Sequence, residues 1–260
     1  IRDVAVTGVQ TCALPIYPHN HVVFDMDNHL TRFYNSAKLL GMNIPIERDE
    51  LDKLLRELVL KVDDGDQFVY MQVTRGNGLR GHIYPEDMQG NLWITLTPAH
   101  VADTYKPIDV ITYEDKRFYY CNCKTLNLIP SCLAATAADR AGCQEAIFHR
   151  GDLVTECAHS NVSIFKDGKV ITHQLDDKVL PGTARIRLLA FAKKLGYGVE
   201  ERDYTLDELM NADEIIVHST GSFCIPVKTV DGKPVGGKAP EMLKTIQDAL
   251  VKDFEEQCKA

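Results

Sequence analysis

Helical and strand-like periodicity share this chain unequally, which restricts it to a mixed α/β architecture with more than one core. Between Asn28 and Leu40 apolar residues recur at helical spacing (Leu30, Phe33, Leu39, Leu40), with Asp27 or Asn28 able to cap the start and Gly41 to stop the end. A second stretch, from Glu47 to Val62, presents Leu51, Leu54, Leu55, Leu58 and Val59 as a stripe. Phe68–Thr74 and Leu92–Thr97 are β-rich runs bounded by glycine, proline or charged turns, so residues 17–98 are expected to form a small α/β domain. Residues 99–107 read as a linker. Residues 108–260 are expected to form a larger β-rich domain, with strands at 108–113, 118–123, 145–149, 162–165, 170–173, 214–218 and 225–230 and helices at 128–140, 183–195 and 239–256. Pro130 is tolerated there because it falls in the first turn of its helix.

A length of 260 residues suits two medium domains. The 29 basic residues against 37 acidic ones leave a net charge of -8, which argues against a nucleic-acid partner, since affinity for a duplex comes from cations that neutralise phosphates. No apolar run approaches the ~20 residues that span a bilayer, and no basic-then-apolar leader opens the chain, so no membrane partner and a cytoplasmic location are expected. The eight cysteines lack the paired spacings of a zinc ribbon and read as reduced thiols. Cys121 and Cys123 have one Asn between them and no C-x-x-C partner, so no metal centre is expected. Residues 1–16 show neither alternation nor a cap. From Val6 to Ile16 they resemble translated sequencing-adapter sequence, and they are set apart as a non-native segment.

Lys124 follows the strand-like run Arg117-Phe118-Tyr119-Tyr120-Cys121-Asn122-Cys123, and Thr155-Glu156 and Ser160-Asn161 come later. A lysine amine on apolar β-structure, with a carboxylate brought back beside it, has the parts that pyridoxal phosphate chemistry uses: an amine for a Schiff base and an anion at the pyridine nitrogen. The sequence also offers Arg32 on the first helix, Arg80 and His82 after a Gly-rich turn, Leu180-Pro181-Gly182-Thr183 opening a helix, and Ser219-Thr220-Gly221-Ser222 closing a strand. Each has a plain structural reading. Lys124 alone is a snorkelling surface lysine, Glu156 a solvated turn carboxylate, Arg32 an ion-pair residue, Leu180 a core leucine, and Arg80 and His82 solvent-facing loop residues.

Taken in order, the motifs Asn28-His29-Leu30-Thr31-Arg32, Val73-Thr74-Arg75-Gly76 with Arg80-Gly81-His82, Cys123-Lys124-Thr125-Leu126-Asn127, Thr155-Glu156 and Ser219-Thr220 resemble those of the fold-type IV, class IV aminotransferases, and within them the D-amino-acid transaminases. The resemblance runs from about Phe24 to the C-terminus. It implies a two-domain fold, pyridoxal 5′-phosphate as cofactor, D-amino acid and 2-oxo acid substrates, and a homodimer with shared active sites. By the same resemblance Lys124 is the catalytic amine and Glu156 faces the pyridine nitrogen. Arg32, Thr183, Ala184, Ser219 and Thr220 hold the phosphate, Leu180 packs on the ring, and Arg80 with His82 binds the substrate carboxylate. Members often have Gly where Cys157 stands. They also begin with strands that are absent here, which implies a truncated small domain and an impaired fragment as one reading of the chain. An aminodeoxychorismate lyase or branched-chain aminotransferase of the same fold is the other alternative, against which Arg80 and His82 argue.

Overall fold

The computed structural model describes residues 11–79 and 81–259, which divide into two compact units. The first comprises the described residues up to His100 together with Cys123–Asn127 and the last few residues of the chain; the second comprises Val101–Asn122 and Leu128–Glu256. The segment bearing Lys124 therefore belongs with the first unit, which no linear division at 98 or 107 anticipates.

In the first unit β1 (Thr11–Ile16) is followed by the short pair β2 (Pro18–His19) and β3 (Val22–Val23), then α1 (Met26–Leu39), α2 (Arg48–Val59), β4 (Gln67–Thr74) and β5 (Asn91–Pro98). The antiparallel sheet runs β1-β4-β5. Alternation in β4 sends Val69, Met71 and Val73 inward against Leu30, Phe33, Leu51, Leu55 and Val59 of the two helices. Each such side chain, fully buried, stabilises the unit by ~1.5–3 kcal/mol. Residues 11–16, set apart above, supply β1, whose Cys12 and Ile16 are buried in this core; residues 1–10 lie outside the described residues.

The second unit holds β6 (Ile108–Glu114), α3 (Ile129–Arg140), β7 (Glu145–Arg150), β8 (Leu153–Cys157), β9 (Asn161–Lys166), β10 (Lys169–Thr172), α4 (Thr183–Lys194), β11 (Gly198–Glu201), α5 (Leu206–Met210), β12 (Glu214–His218), β13 (Ile225–Val230), β14 (Lys233–Pro234) and α6 (Pro240–Gln257). Its sheet runs β11-β10-β9-β12-β13-β6-β7-β8, with β14 on β13. Although β8 ends this path and β9 lies near its other end, a tight turn joins them, Cys157 N–H donating to the Ser160 carbonyl at 2.8 Å. The sheet must curl to allow it.

Two expectations are corrected. Phe118–Cys123 is an irregular loop, not a strand: Tyr120 has φ 74°, and Phe118, Tyr119 and Tyr120 are exposed rather than alternating into a core. Residues 153–157, where no strand is expected, form β8, and Glu156 is buried within it. Opposite the single Phe148 of β7 stand two β8 residues, Thr155 and Glu156, because the register steps from Ile147↔Cys157 to His149↔Val154. This is a β-bulge, which re-aims the side chains it carries.

Candidate active site

Both oxygens of Glu156 have partners within the second unit. Oε1 pairs with the Arg117 guanidinium, and Oε2 accepts from Asn161 Nδ2 at 2.9 Å and from the Leu180 amide at 3.0 Å. Arg117 is itself fixed. Asp115, whose side chain is fully buried, accepts from its Nε and Nη2 at 2.9 Å each, and the Lys178 carbonyl accepts from Nη2 at 3.0 Å. Burial alone would lower the Arg117 pKa, but its hydrogen bond to Asp115 and the charge of Glu156 outweigh it and raise that pKa. A permanent cation thus sits against Glu156 and favours its anionic form.

The same unit has a cradle of helix-start amides and hydroxyls. Gly182 precedes α4 with extended backbone and offers no side-chain cap, so the helix start presents the N–H groups of its first turn beside these hydroxyls. Thr183 Oγ1 lies 3.2 Å from Thr220 Oγ1, just past the end of β12, and Ser219 Oγ lies 2.8 Å from Ser222 Oγ. Asn161 ties cradle to carboxylate: its Nδ2 also donates to the Leu180 carbonyl at 3.0 Å, and its Oδ1 would be 2.0 Å from a Cβ at Gly182. Gly182→Ala is therefore expected to displace Asn161, lowering stability by ~1–3 kcal/mol as overpacking does. Thermal unfolding with and without added pyridoxal phosphate measures this, and the loss should be larger in its presence.

The first unit brings Lys124 and Arg32 to one helix. The Lys124 amide donates to Ser36 Oγ at 3.2 Å, one turn beyond Arg32 on α1; its carbonyl accepts from Ala13 N–H at 2.8 Å, and Thr125 bridges antiparallel to Cys12. Arg32 is buried with its Nε–H unpaired among the described residues, and burial pulls its pKa down to about 10 despite the nearby charge of Asp25. A buried guanidinium with an idle N–H is suited to an anion. His82 lies in an exposed stretch between β4 and β5, and Arg80 lies outside the described residues.

Six expected residues, Glu156, Leu180, Thr183, Ala184, Ser219 and Thr220, thus share the second unit, and Lys124, Arg32 and His82 belong to the first. Arg117 and Asn161 were not picked out as site residues. Asn161 had a visible sign in its place after Glu156 and Ser160; Arg117 had none, because its partner lies far along the chain. Taken unit by unit, the chemistry suits parts of pyridoxal 5′-phosphate: in the second, hydroxyls and helix-start amides suit a phosphate and a held carboxylate a cationic ring nitrogen; in the first, a buried guanidinium suits an anion and a lysine amine an aldehyde. Among the described residues no cluster of three or more His, Cys, Asp or Glu could hold a metal ion, and no helix is long and apolar enough to cross a membrane.

Comparison with known proteins identifies the family. The chain is 37% identical over 246 residues to the D-alanine aminotransferase of Listeria monocytogenes serotype 4b (strain F2365), covering 92% of this chain and 85% of that one. It is 36% identical over 243 residues to the D-alanine aminotransferase of Bacillus licheniformis, with 89% and 83% covered. The branched-chain amino acid aminotransferase from Escherichia coli superposes with a TM-score of 0.86 at 25% identity, covering 99% of this chain and 91% of that one. The branched-chain aminotransferase from the thermophilic archaeon Thermoproteus uzoniensis, solved with norvaline, gives 0.83 at 22% identity, with 95% and 87% covered, a likeness of fold alone. A family model described as amino-transferase class IV matches residues 13–230. The chain is an enzyme of the class IV aminotransferase family.

Proposed function

We propose that this class IV aminotransferase acts on D-amino acids with pyridoxal 5′-phosphate, taking D-alanine and 2-oxoglutarate to pyruvate and D-glutamate in a ping-pong cycle. What carries the reading is the run of relatives named D-alanine aminotransferase at 34–37% identity over about nine-tenths of the chain. Arg80 and His82 agree with it.

When bound, the cofactor supplies an aldehyde that holds the amino group and a cationic ring that takes up the electron pair left by the α-proton. Lys124 would supply the amine that holds this aldehyde, and the same amine would move the proton at the substrate α-carbon. Glu156, kept anionic by Arg117 and oriented by Asn161 and the Leu180 amide, keeps the ring nitrogen protonated. By the family resemblance Thr183, Ala184, Ser219 and Thr220, and Arg32 from the first unit, would hold the phosphate, Leu180 would pack on the ring, and Arg80 with His82 would take the substrate α-carboxylate. Pyruvate formation from D-alanine and 2-oxoglutarate tests the reading, beside parallel assays with branched-chain L-amino acids and for 4-aminobenzoate release. Turnover only in one of the parallel assays overturns it.

The proposal includes a cytoplasmic homodimer, and one surface supports the dimer. Helix α3 packs only Ser131, Ala134 and Ala138 inward and leaves Ile129 and Leu133 at 77% and 59% exposed. Its larger apolar side chains thus face solvent, the reverse of an ordinary surface helix. Alternation puts Ala146, Phe148 and Arg150 on one face of β7; α3 covers the first two, and Tyr119 lies 4.9 Å from the Arg150 guanidinium. Loop and helix therefore share a face. Phe118, Tyr119, Tyr120, Leu128, Ile129 and Leu133 are all exposed on it, an apolar and aromatic patch of the kind that a partner copy covers. Between Phe118 and Ala138 the only charged residue is Lys124, which removes acidic repulsion between copies that each carry -8. Leu133→Glu is expected to weaken dimerisation ~100-fold in sedimentation equilibrium, as loss of an interface hot spot does; an unchanged dimer would refute this surface.

A further inference from the structure

The charged groups behind Glu156 are linked to one another. Asp115 Oδ1 accepts from Arg117 N–H at 3.1 Å and from Arg117 Nε at 2.9 Å; Oδ2 accepts from Arg117 Nη2 at 2.9 Å, Arg150 Nε at 3.1 Å and Thr155 Oγ1 at 3.1 Å. Arg150 Nη2 closes the loop by donating to the Arg117 carbonyl at 3.0 Å. Asp115 touches both arginines and Thr155, the bulge residue preceding Glu156. By gripping the Nε and Nη2 edge it leaves Arg117 one orientation, with Nη1 turned to Glu156. The Arg117 guanidinium also lies 4.6 Å from the Phe148 ring centroid, which covers one of its flat sides. Burial would raise the Asp115 pKa, but its hydrogen bonds and the charge of Arg117 outweigh it and lower it, so Asp115 stays ionised through the neutral range.

We infer that Asp115 is a positioning residue for the reaction: through Arg117 and Thr155 it sets both the place and the charge balance of the Glu156 carboxylate, without touching substrate or cofactor. The role of Glu156 toward the ring nitrogen rests on the reading under Proposed function; the control of Arg117 by Asp115 does not. Asp115→Asn keeps the volume and one acceptor but removes the charge and half of the two-pronged grip.

Two measurements on the full chain separate these. The first is arginine side-chain NMR of the chain without cofactor. Wild type is expected to show a slowly exchanging Nε–H resonance, assigned by its absence in Arg117→Lys, and Asp115→Asn should speed its exchange at least tenfold; unchanged exchange overturns the inference. The second titrates pyridoxal phosphate into wild type, Asp115→Asn and Glu214→Gln, the last removing a buried carboxylate that accepts from Gly237 and Ala239 amides elsewhere in the unit. Cofactor affinity is expected to fall about tenfold in Asp115→Asn and to hold in Glu214→Gln, even where both melt earlier. An equal fall in both marks a merely structural role and overturns the inference. A wild type that takes up no cofactor defeats the functional reading, and the NMR result still decides whether Asp115 governs Arg117.

Discussion

Lys124→Ala is expected to remove the visible absorption band that the wild-type chain develops with pyridoxal phosphate and to lower transamination by at least ~10⁴-fold, the upper range for loss of a positioned acid–base group. The fold should survive, because what anchors this segment is backbone. The Lys124 amide donates to Ser36 Oγ, its carbonyl accepts from Ala13 N–H, and the Thr125–Cys12 bridge lies beside it. None of these needs the side chain, so the segment should keep its backbone course in the variant. Added small amines should restore part of the lost rate, since the position then lacks only a proton carrier. An unchanged spectrum in the variant sinks the assignment, whatever happens to activity.

The elements that were legible in the sequence were those whose stability is local. Helices α1 and α2 announce themselves by their apolar stripes, and β4 by clean alternation over a core. Strand β8 was missed because its bulge breaks alternation: Val154 and Cys157, three apart, both enter the core. Phe118–Cys123 misled for the opposite reason, since aromatic residues favour strands only where a sheet face receives them, and here three stand in solvent. The site divides the same way. Lys124, Glu156 and the Pro-Gly-Thr start of α4 carry short-range signals that a resemblance can gather. The pairing of Arg117 with Glu156, and the approach of Asn161 to Gly182, exist only once the sheet has curled, so no local pattern holds them.

Glu156→Gln separates charge from shape. The amide nearly matches the carboxylate in volume, and its oxygen can still accept from Asn161 Nδ2 and the Leu180 amide, so the bulge should keep its course. Arg117 loses its ion pair but retains Asp115 and the Lys178 carbonyl, which limits the loss of stability to ~1–3 kcal/mol, that of a charged hydrogen bond rather than of an orphaned buried cation. The variant should still bind pyridoxal phosphate and show a visible band, because Lys124 is intact. Its kcat should nonetheless fall roughly 10²–10³-fold, the size of effect seen when one preorganised electrostatic partner of developing charge is removed. The KM for the amino acid should stay within about threefold, since a neutral amide fails only as charge moves into the ring and not when substrate binds. Stopped-flow absorbance on single turnovers measures the proton-transfer step directly. A rate within about twofold of wild type would mean that the ring needs no anion from this residue, and the carboxylate held by Arg117, Asn161 and Leu180 would then be a structural ion pair.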